Sequence, residues 1–183
     1  MEVVRTYLEL DTPEALRPAA RLPSDARIVR LDPSSIADYR RLYRAVGGPW
    51  HWRDRLAWDD DTLRAHLASP EIAVWELLVG GESAGYFELR RNDAQNVEIA
   101  YFGLVSSFIG RGLGGALLTR AVEEAWRFGG RRVWLHTCTL DSPHALPNYR
   151  ARGFRDYRTE RYEANVESPA PGSGIDEGPG TTA

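Results

Sequence analysis

The stretch "FIGRGLGGALL", residues 108–118, puts four glycines into six positions (Gly110, Gly112, Gly114 and Gly115) and then runs into apolar helix formers. Glycine costs a helix roughly 1 kcal/mol against alanine, so glycines at a helix start need an offsetting gain. Three readings compete. Gly110, Gly112 and Gly115 fit the dinucleotide pattern G-x-G-x-x-G. The glycines also suit a helix that starts close against a strand. Finally, a run of exposed backbone N–H groups at a helix start is suited to hold an anion. The dinucleotide reading is the weakest. "LVSSFI" separates Gly110 from the preceding strand, and Arg131 and Arg132 stand where an acidic residue would hold a ribose.

Other side chains could move protons. Glu98 is a carboxylate among apolar strand residues just ahead of the glycine loop, placed to draw a proton directly or through water unless it faces solvent. Strict alternation groups Glu98 with Ala100 and Phe102, and Val97 with Ile99 and Tyr101. His136 titrates near neutrality and can serve as a base, a hydrogen-bond partner or a satisfied core group. Cys138 is the only cysteine, so no intrachain disulfide forms and no metal site is expected. It reads as a small buried residue.

Composition narrows the chemistry further. All 23 basic residues are arginine; there is no lysine. A P-loop lysine and a lysine Schiff base are therefore both excluded. A formal charge of -3 gives no general case for nucleic acid or an anionic membrane as partner. No run approaches 18 apolar residues, and the first residues carry no apolar segment of signal-peptide length, so a cytoplasmic protein is expected.

The elements that must position these groups follow from periodicity and turn signals. Strands are predicted at 3–10, 26–31, 72–79, 83–90, 96–103, 131–137 and 154–163. Helices are predicted at 36–46, 61–67, 114–128 and 143–152. "GGPWHWRDRLAWDDD" reads as a loop or broken helix. The division is a strand and connector over 1–25, one folded domain over 26–162, and a disordered, Pro/Gly-rich tail over 163–183.

With the elements in order, "YFGLVSSFIGRGLGGALL" followed by "ALPNYRARGF" resembles the GNAT superfamily of acyl-CoA-dependent N-acyltransferases. The resemblance covers roughly residues 26–162 and rests on two motifs in the expected order. It implies an α+β fold whose mixed, mostly antiparallel central sheet is flanked by helices. Two parallel strands, 97–103 and 133–137, would be splayed, and residues 3–10 would add an N-terminal strand. That family usually closes with two strands after its last helix, and this chain has one. The N-terminal strand would take the missing place, in its own sheet or a neighbour's, and an exposed edge there would favour a homodimer.

The resemblance also implies roles. In the family pattern Gln/Arg-x-x-Gly-x-Gly/Ala, Gly112 and Gly114 fall on the glycines and Arg111 precedes the first. Ile109 stands where a polar residue is preferred. The loop from Ile109 through Gly110, Arg111, Gly112, Leu113, Gly114 and Gly115 would hold the pyrophosphate of acetyl-CoA. Gly103, Leu104 and Val105 would meet the pantetheine amide. Ser142 takes the place of a common asparagine. Tyr149, four residues before Gly153, would protonate the leaving thiolate, and Glu98 would take the amine proton. For the acceptor, Trp50, Trp52 and Trp58 suit an aromatic box for an apolar or cationic amine, or simple packing. Arg53 and Arg55 suit a carboxylate and so an amino-acid-like acceptor, and His136 would lie nearby. The expected activity is acetyl transfer from acetyl-CoA to a primary amine of a small molecule or peptide. An acyl-CoA-binding sensor without turnover is the alternative.

Overall fold

The computed structural model describes residues 1–164. The sheet has seven strands: β1 (Glu2–Leu10), β2 (Ala26–Arg30), β3 (Ile72–Val79), β4 (Glu82–Arg91), β5 (Asn96–Leu104), β6 (Arg132–Cys138) and β7 (Arg155–Glu163). The helices are α1 (Ile36–Gly47), α2 (Asp60–Ala68), α3 (Leu113–Arg127) and α4 (Ala145–Ala151). The "GGPWHWRDRLAW" segment forms two short 3-10 turns, Gly48–Trp50 and Asp54–Ala57. Of the predicted tail over 163–183, only residues 163 and 164 are among the described residues.

Strand order is β2-β3-β4-β5-β6-β1-β7. Every neighbouring pair is antiparallel except β5 and β6. The N-terminal strand therefore enters its own sheet, between β6 and β7, and presents no free edge for a homodimer. The outer strand on that side is β7, whose sequence RDYRTERYE is charge-rich and discourages edge pairing. Among the described residues no helix is long and apolar enough to cross a membrane.

Two cores lie on opposite faces of the sheet. α3 brings Leu117, Leu118, Ala121, Val122 and Ala125 onto one face, against Phe87, Leu89, Val97, Ile99, Val133 and Leu135. This stripe recurs at helical spacing, which is why α3 docks as one amphipathic unit. α1 and α2 cover part of the other face with Tyr39, Leu42, Tyr43, Val46, Leu63 and Leu67, against Val74, Tyr86 and Tyr101.

Strand β5 departs from strict alternation. Its pairing with β4 shifts between Glu88 and Leu89: Glu88 opposes Tyr101 and Leu89 opposes Ile99, so Ala100 is the extra residue of a bulge. The bulge changes the faces expected from the sequence. Val97, Ile99 and Phe102 belong to the α3 side, whereas Ala100 and Tyr101 pack on the α1 side. One inserted residue is enough to reverse every side chain beyond it.

Candidate active site

β5 and β6 pair only at Asn96–Arg132, Val97–Val133 and Glu98–Trp134. Beyond Glu98 they diverge, and the β6-facing edge of β5 has no ladder partner. A cavity of about 360 Å³ opens there, walled by residues 99–104 on one side and by His136, Cys138 and Asp141 on the other. Gly110, Gly112, Leu113 and Gly114 close one end together with Tyr149; Trp50, Trp52 and Asp54 stand at another part of the wall.

The glycine loop is built for exposed donors. Gly110 and Gly112 take φ of +83° and +75°, and a Cβ at either position would meet nothing. Their left-handed backbone turns the chain into α3, with Gly112 as its N-cap. Phe108 N–H donates to Val105 O at 2.8 Å and Ile109 N–H to Ser106 O at 3.2 Å, but no such turn bond uses the N–H of Gly110, Arg111 or Gly112. The first N–H groups of α3 are also without intrahelical acceptors, as at any helix start. The result is a run of donors at the positive end of a helix, beside a cavity.

Not every loop residue serves this cradle. Gly115 is a packing glycine: an added Cβ would overlap the Arg152 guanidinium and come within 2.9 Å of Ala19. Arg111 is exposed, sits 4.7 Å from the Phe108 ring centroid and does not line the cavity. Ile109 lines the cavity with an exposed apolar side chain. Gly103 and Leu104 line it too, while Val105 does not, and its N–H is already spent on Ala84 O at 2.9 Å. Asn148, part of the "NYRARGF" motif but assigned no role from its type alone, donates to Gly114 O at 3.3 Å and ties α4 to the loop.

Tyr149 is buried between the rings of Phe102 and Phe154, at 6.1 and 6.2 Å. Burial, and then the Asp141 carboxylate, push its phenol well above the ordinary range, so it is protonated at neutral pH. Ser142 lines the cavity next to Asp141. Asp141 is heavily engaged: it accepts from Thr137 Oγ1 and Cys138 N–H at 2.8 Å each, and from Trp52 Nε1 at 3.5 Å.

The expected base is placed differently. Glu98 is fully buried but does not line the cavity, and Arg90 donates two hydrogen bonds, of 2.9 and 2.6 Å, to one of its oxygens. Burial raises its carboxyl, with Arg90 opposing. Two carboxylates line the cavity: Asp141, already engaged by three donors, and Asp54, which accepts from the Tyr101 hydroxyl at 3.2 Å. Burial lifts its carboxyl above the usual range against the pull of Tyr101 and nearby arginines. Only the bulge at Ala100, which sends Tyr101 to the α1 side, makes that contact, so alternation could not find it.

The aromatic segment divides. Trp50 and Trp52 line the cavity; Trp58 does not, and instead stacks 4.0 Å from the Arg55 guanidinium. Arg55 is itself buried and ion-paired to Glu88 at 3.4 Å, so it is not placed to receive a ligand carboxylate. Arg53 is exposed and off the cavity wall. Glu88 is the centre of a buried network: it accepts from Tyr39 at 2.5 Å and meets His66 Nε2 at 2.8 Å. Burial alone would raise its carboxyl, but the His66 hydrogen bond and the Arg55 charge outweigh it and hold the group below its ordinary value. This network fastens α1, α2 and the 3-10 turn carrying Asp54 onto β4. His136 lines the cavity, and burial, then the positive charge of Arg5, lower its pKa to about 4.

Residues 36–154 match the family described as Acetyltransferase (GNAT) family. The chain belongs to this GNAT family. It is 29% identical over 153 residues to a mycothiol acetyltransferase from Corynebacterium efficiens, a match covering 77% of this chain and 50% of that one. The chain thus spans half the length of that relative. A GCN5-related N-acetyltransferase from Kribbella flavida superposes with a TM-score of 0.63 at 16% identity, over 85% of this chain and 55% of that one. An aminoglycoside acetyltransferase from an uncultured soil metagenomic sample, in complex with trehalose, gives 0.59 at 17% identity, over 70% and 87%. At these identities the structural likenesses speak for the GNAT fold alone. The family match makes acyl transfer the general chemistry of the GNAT domain.

Proposed function

We propose that this GNAT domain transfers an acetyl group from acetyl-CoA to a primary amine of a small molecule or peptide. The observation that carries this reading is the cavity between the diverging strands β5 and β6, which has unspent loop N–H groups and the Tyr149 side chain together at one end. The N–H groups from Gly110 to Gly114 suit the pyrophosphate of the donor. The unpaired edge of β5 at Gly103 and Leu104 suits its pantetheine amides. Ile109 and Leu113 offer that arm an apolar wall.

In the proposed reaction the amine nitrogen attacks the thioester carbonyl. The C–N bond forms, the C–S bond breaks, and the departing thiolate takes the Tyr149 hydroxyl proton. The amine must first lose a proton. Asp54 takes that role in place of Glu98, because it lines the cavity and its carboxyl is partly desolvated. Once the C–N bond has formed, the nitrogen sheds its second proton to solvent, which reprotonates the Tyr149 phenolate and takes up the proton held by Asp54. Glu98 is assigned a positioning role, clamping β5 to β4 through Arg90 beside the bulge.

The test is titration with acetyl-CoA, followed by free-thiol release with a panel of simple amines, amino acids, peptides and an aminoglycoside. Binding of acetyl-CoA with amine-dependent thiol release is the expected result. Failure to bind acetyl-CoA overturns the reading, and binding without release to any amine leaves the sensor alternative in its place.

A further inference from the structure

Tyr101 is buried on the cavity wall, and its hydroxyl donates to Asp54 Oδ2 at 3.2 Å. It follows Ala100, the extra residue of the β5 bulge, and therefore lies on the α1 side of the sheet. Its ring is held there on several sides. The Tyr43 and Trp52 rings meet it edge-on, with centroids at 5.2 and 5.1 Å, and the Arg55 guanidinium stands 5.1 Å from its centroid. A ring packed this way has little room to swing, so its hydroxyl is a fixed donor. Burial also keeps that hydroxyl protonated far above neutral pH.

Asp54 is the less constrained partner. It opens the short 3-10 turn Asp54–Ala57 and is half-buried. The Arg55 N–H donates to the Tyr43 hydroxyl at 3.4 Å, which holds the backbone of the turn but not the carboxylate. The titratable and charged groups around Asp54 come from several elements. Arg55 belongs to its own turn, Tyr43 to α1, Tyr101 to β5, and Arg5, itself engaged with Tyr7 and Tyr162, to β1. Burial works against the carboxylate, and the Tyr101 hydrogen bond is the foremost contact favouring it, ahead of Arg55 and Arg5.

We propose that Tyr101 is a positioning residue for the transfer: its hydroxyl aims the Asp54 carboxylate and favours the charged form that accepts the amine proton. A hydrogen bond to a carboxylate stabilises the charged form over the neutral one. A donor on a fixed ring also removes rotamers that turn the base away from its proton. The bulge at Ala100 is then a functional device. Strict alternation would turn Tyr101 toward the α3 side with Ile99 and leave Asp54 without this donor. The inference rests on Asp54 as the base of acetyl transfer, but the link between the two side chains can be measured without turnover.

The experiment follows the NMR signal of the labelled Asp54 carboxyl carbon against pH in the full chain and in Tyr101→Phe, with Asp54→Asn identifying the signal. The acid limb of kcat/KM for a weakly basic amine, kcat, acetyl-CoA affinity and thermal unfolding are measured on the same proteins. In Tyr101→Phe the Asp54 midpoint and the acid limb should both rise by about one pH unit. Its kcat at neutral pH should fall about tenfold, while acetyl-CoA affinity and folding are retained. In Asp54→Asn kcat should fall about 10²–10⁴-fold. Adding Tyr101→Phe to Asp54→Asn should change kcat less than about twofold, because the role of Tyr101 runs through Asp54. Replacing tyrosine by meta-fluorotyrosine strengthens the donor and should lower the Asp54 midpoint; this arm decides the matter if Tyr101→Phe does not fold. An Asp54 midpoint unmoved by these changes overturns the inference, and so does a kcat loss from Tyr101→Phe that persists in the Asp54→Asn background. A kcat indifferent to Asp54→Asn overturns the base role and the inference with it. Failure to bind acetyl-CoA overturns acetyl transfer instead, and the carboxyl signal still reads the Tyr101–Asp54 link.

Discussion

Arg90 donates from both Nε and Nη2 to a single oxygen of Glu98, at 2.9 and 2.6 Å, across the β4–β5 ladder. The glutamate that the sequence offers as a base is thereby held as one half of a buried clamp. Glu98→Gln should cost about 1–3 kcal/mol of stability, because Arg90 loses a charged acceptor. The kcat for acetyl transfer should change less than about threefold. Urea unfolding and steady-state thiol release measure both, and a kcat loss of a hundredfold with stability intact would return the base role to Glu98.

Tyr149→Phe removes the proposed acid while keeping the ring between Phe102 and Phe154. The expected outcome is a kcat lower by about 10²–10⁴-fold, with acetyl-CoA affinity within a few fold. Because burial holds the phenol protonated far above neutrality, the natural enzyme should show no loss of kcat from this group up to pH 9. A stopped series of thiol-release assays across pH provides the check.

The glycines of the loop should separate into two kinds. Gly112→Ala meets open space but must adopt a φ of +75°, costing about 1 kcal/mol and disturbing the donor cradle. Acetyl-CoA should bind about tenfold more weakly. Gly115→Ala should instead destabilise the fold by roughly 1–3 kcal/mol, because the new methyl comes within 2.9 Å of the Ala19 Cβ, which cannot swing aside as the tip of Arg152 can. The folded fraction should keep its affinity. Titration calorimetry alongside thermal unfolding distinguishes the two patterns.

Glu88→Gln strands the buried Arg55 beside Trp58 and Tyr101. The expected loss is about 3–5 kcal/mol. Because the network anchors the turn that carries Asp54, the surviving folded protein should also show a raised KM for the amine. Chemical denaturation at pH 7 and amine saturation curves report the two effects.

His136 gives a pH dependence of stability. Its folded pKa of about 4 lies below the ordinary value of 6.5 for a free imidazole, so the unfolded chain binds the extra proton first as pH falls. Its contribution is therefore fully present above about pH 6.5 and is lost as pH drops through about 4. His136→Asn should flatten the fall in urea midpoint over that window; an unchanged pH profile would count against a buried neutral imidazole.

The sequence determined most elements and the family by itself, because those depend on local signals. The apolar stripe of α3, the alternating strands and the turn residues between them are readable from neighbours a few positions apart. The glycine loop and "NYRARGF" likewise carry their meaning as short strings. Tertiary structure alone decided which acids and bases face the cavity. One bulge at Ala100 moved Tyr101 toward Asp54, a pairing across strands tied up Glu98, and burial beside Glu88 removed Arg55 from the acceptor side. It also set β1 between β6 and β7 and so brought Arg5 to the wall. Each of these depends on strand register and partners distant in sequence, which local periodicity does not encode.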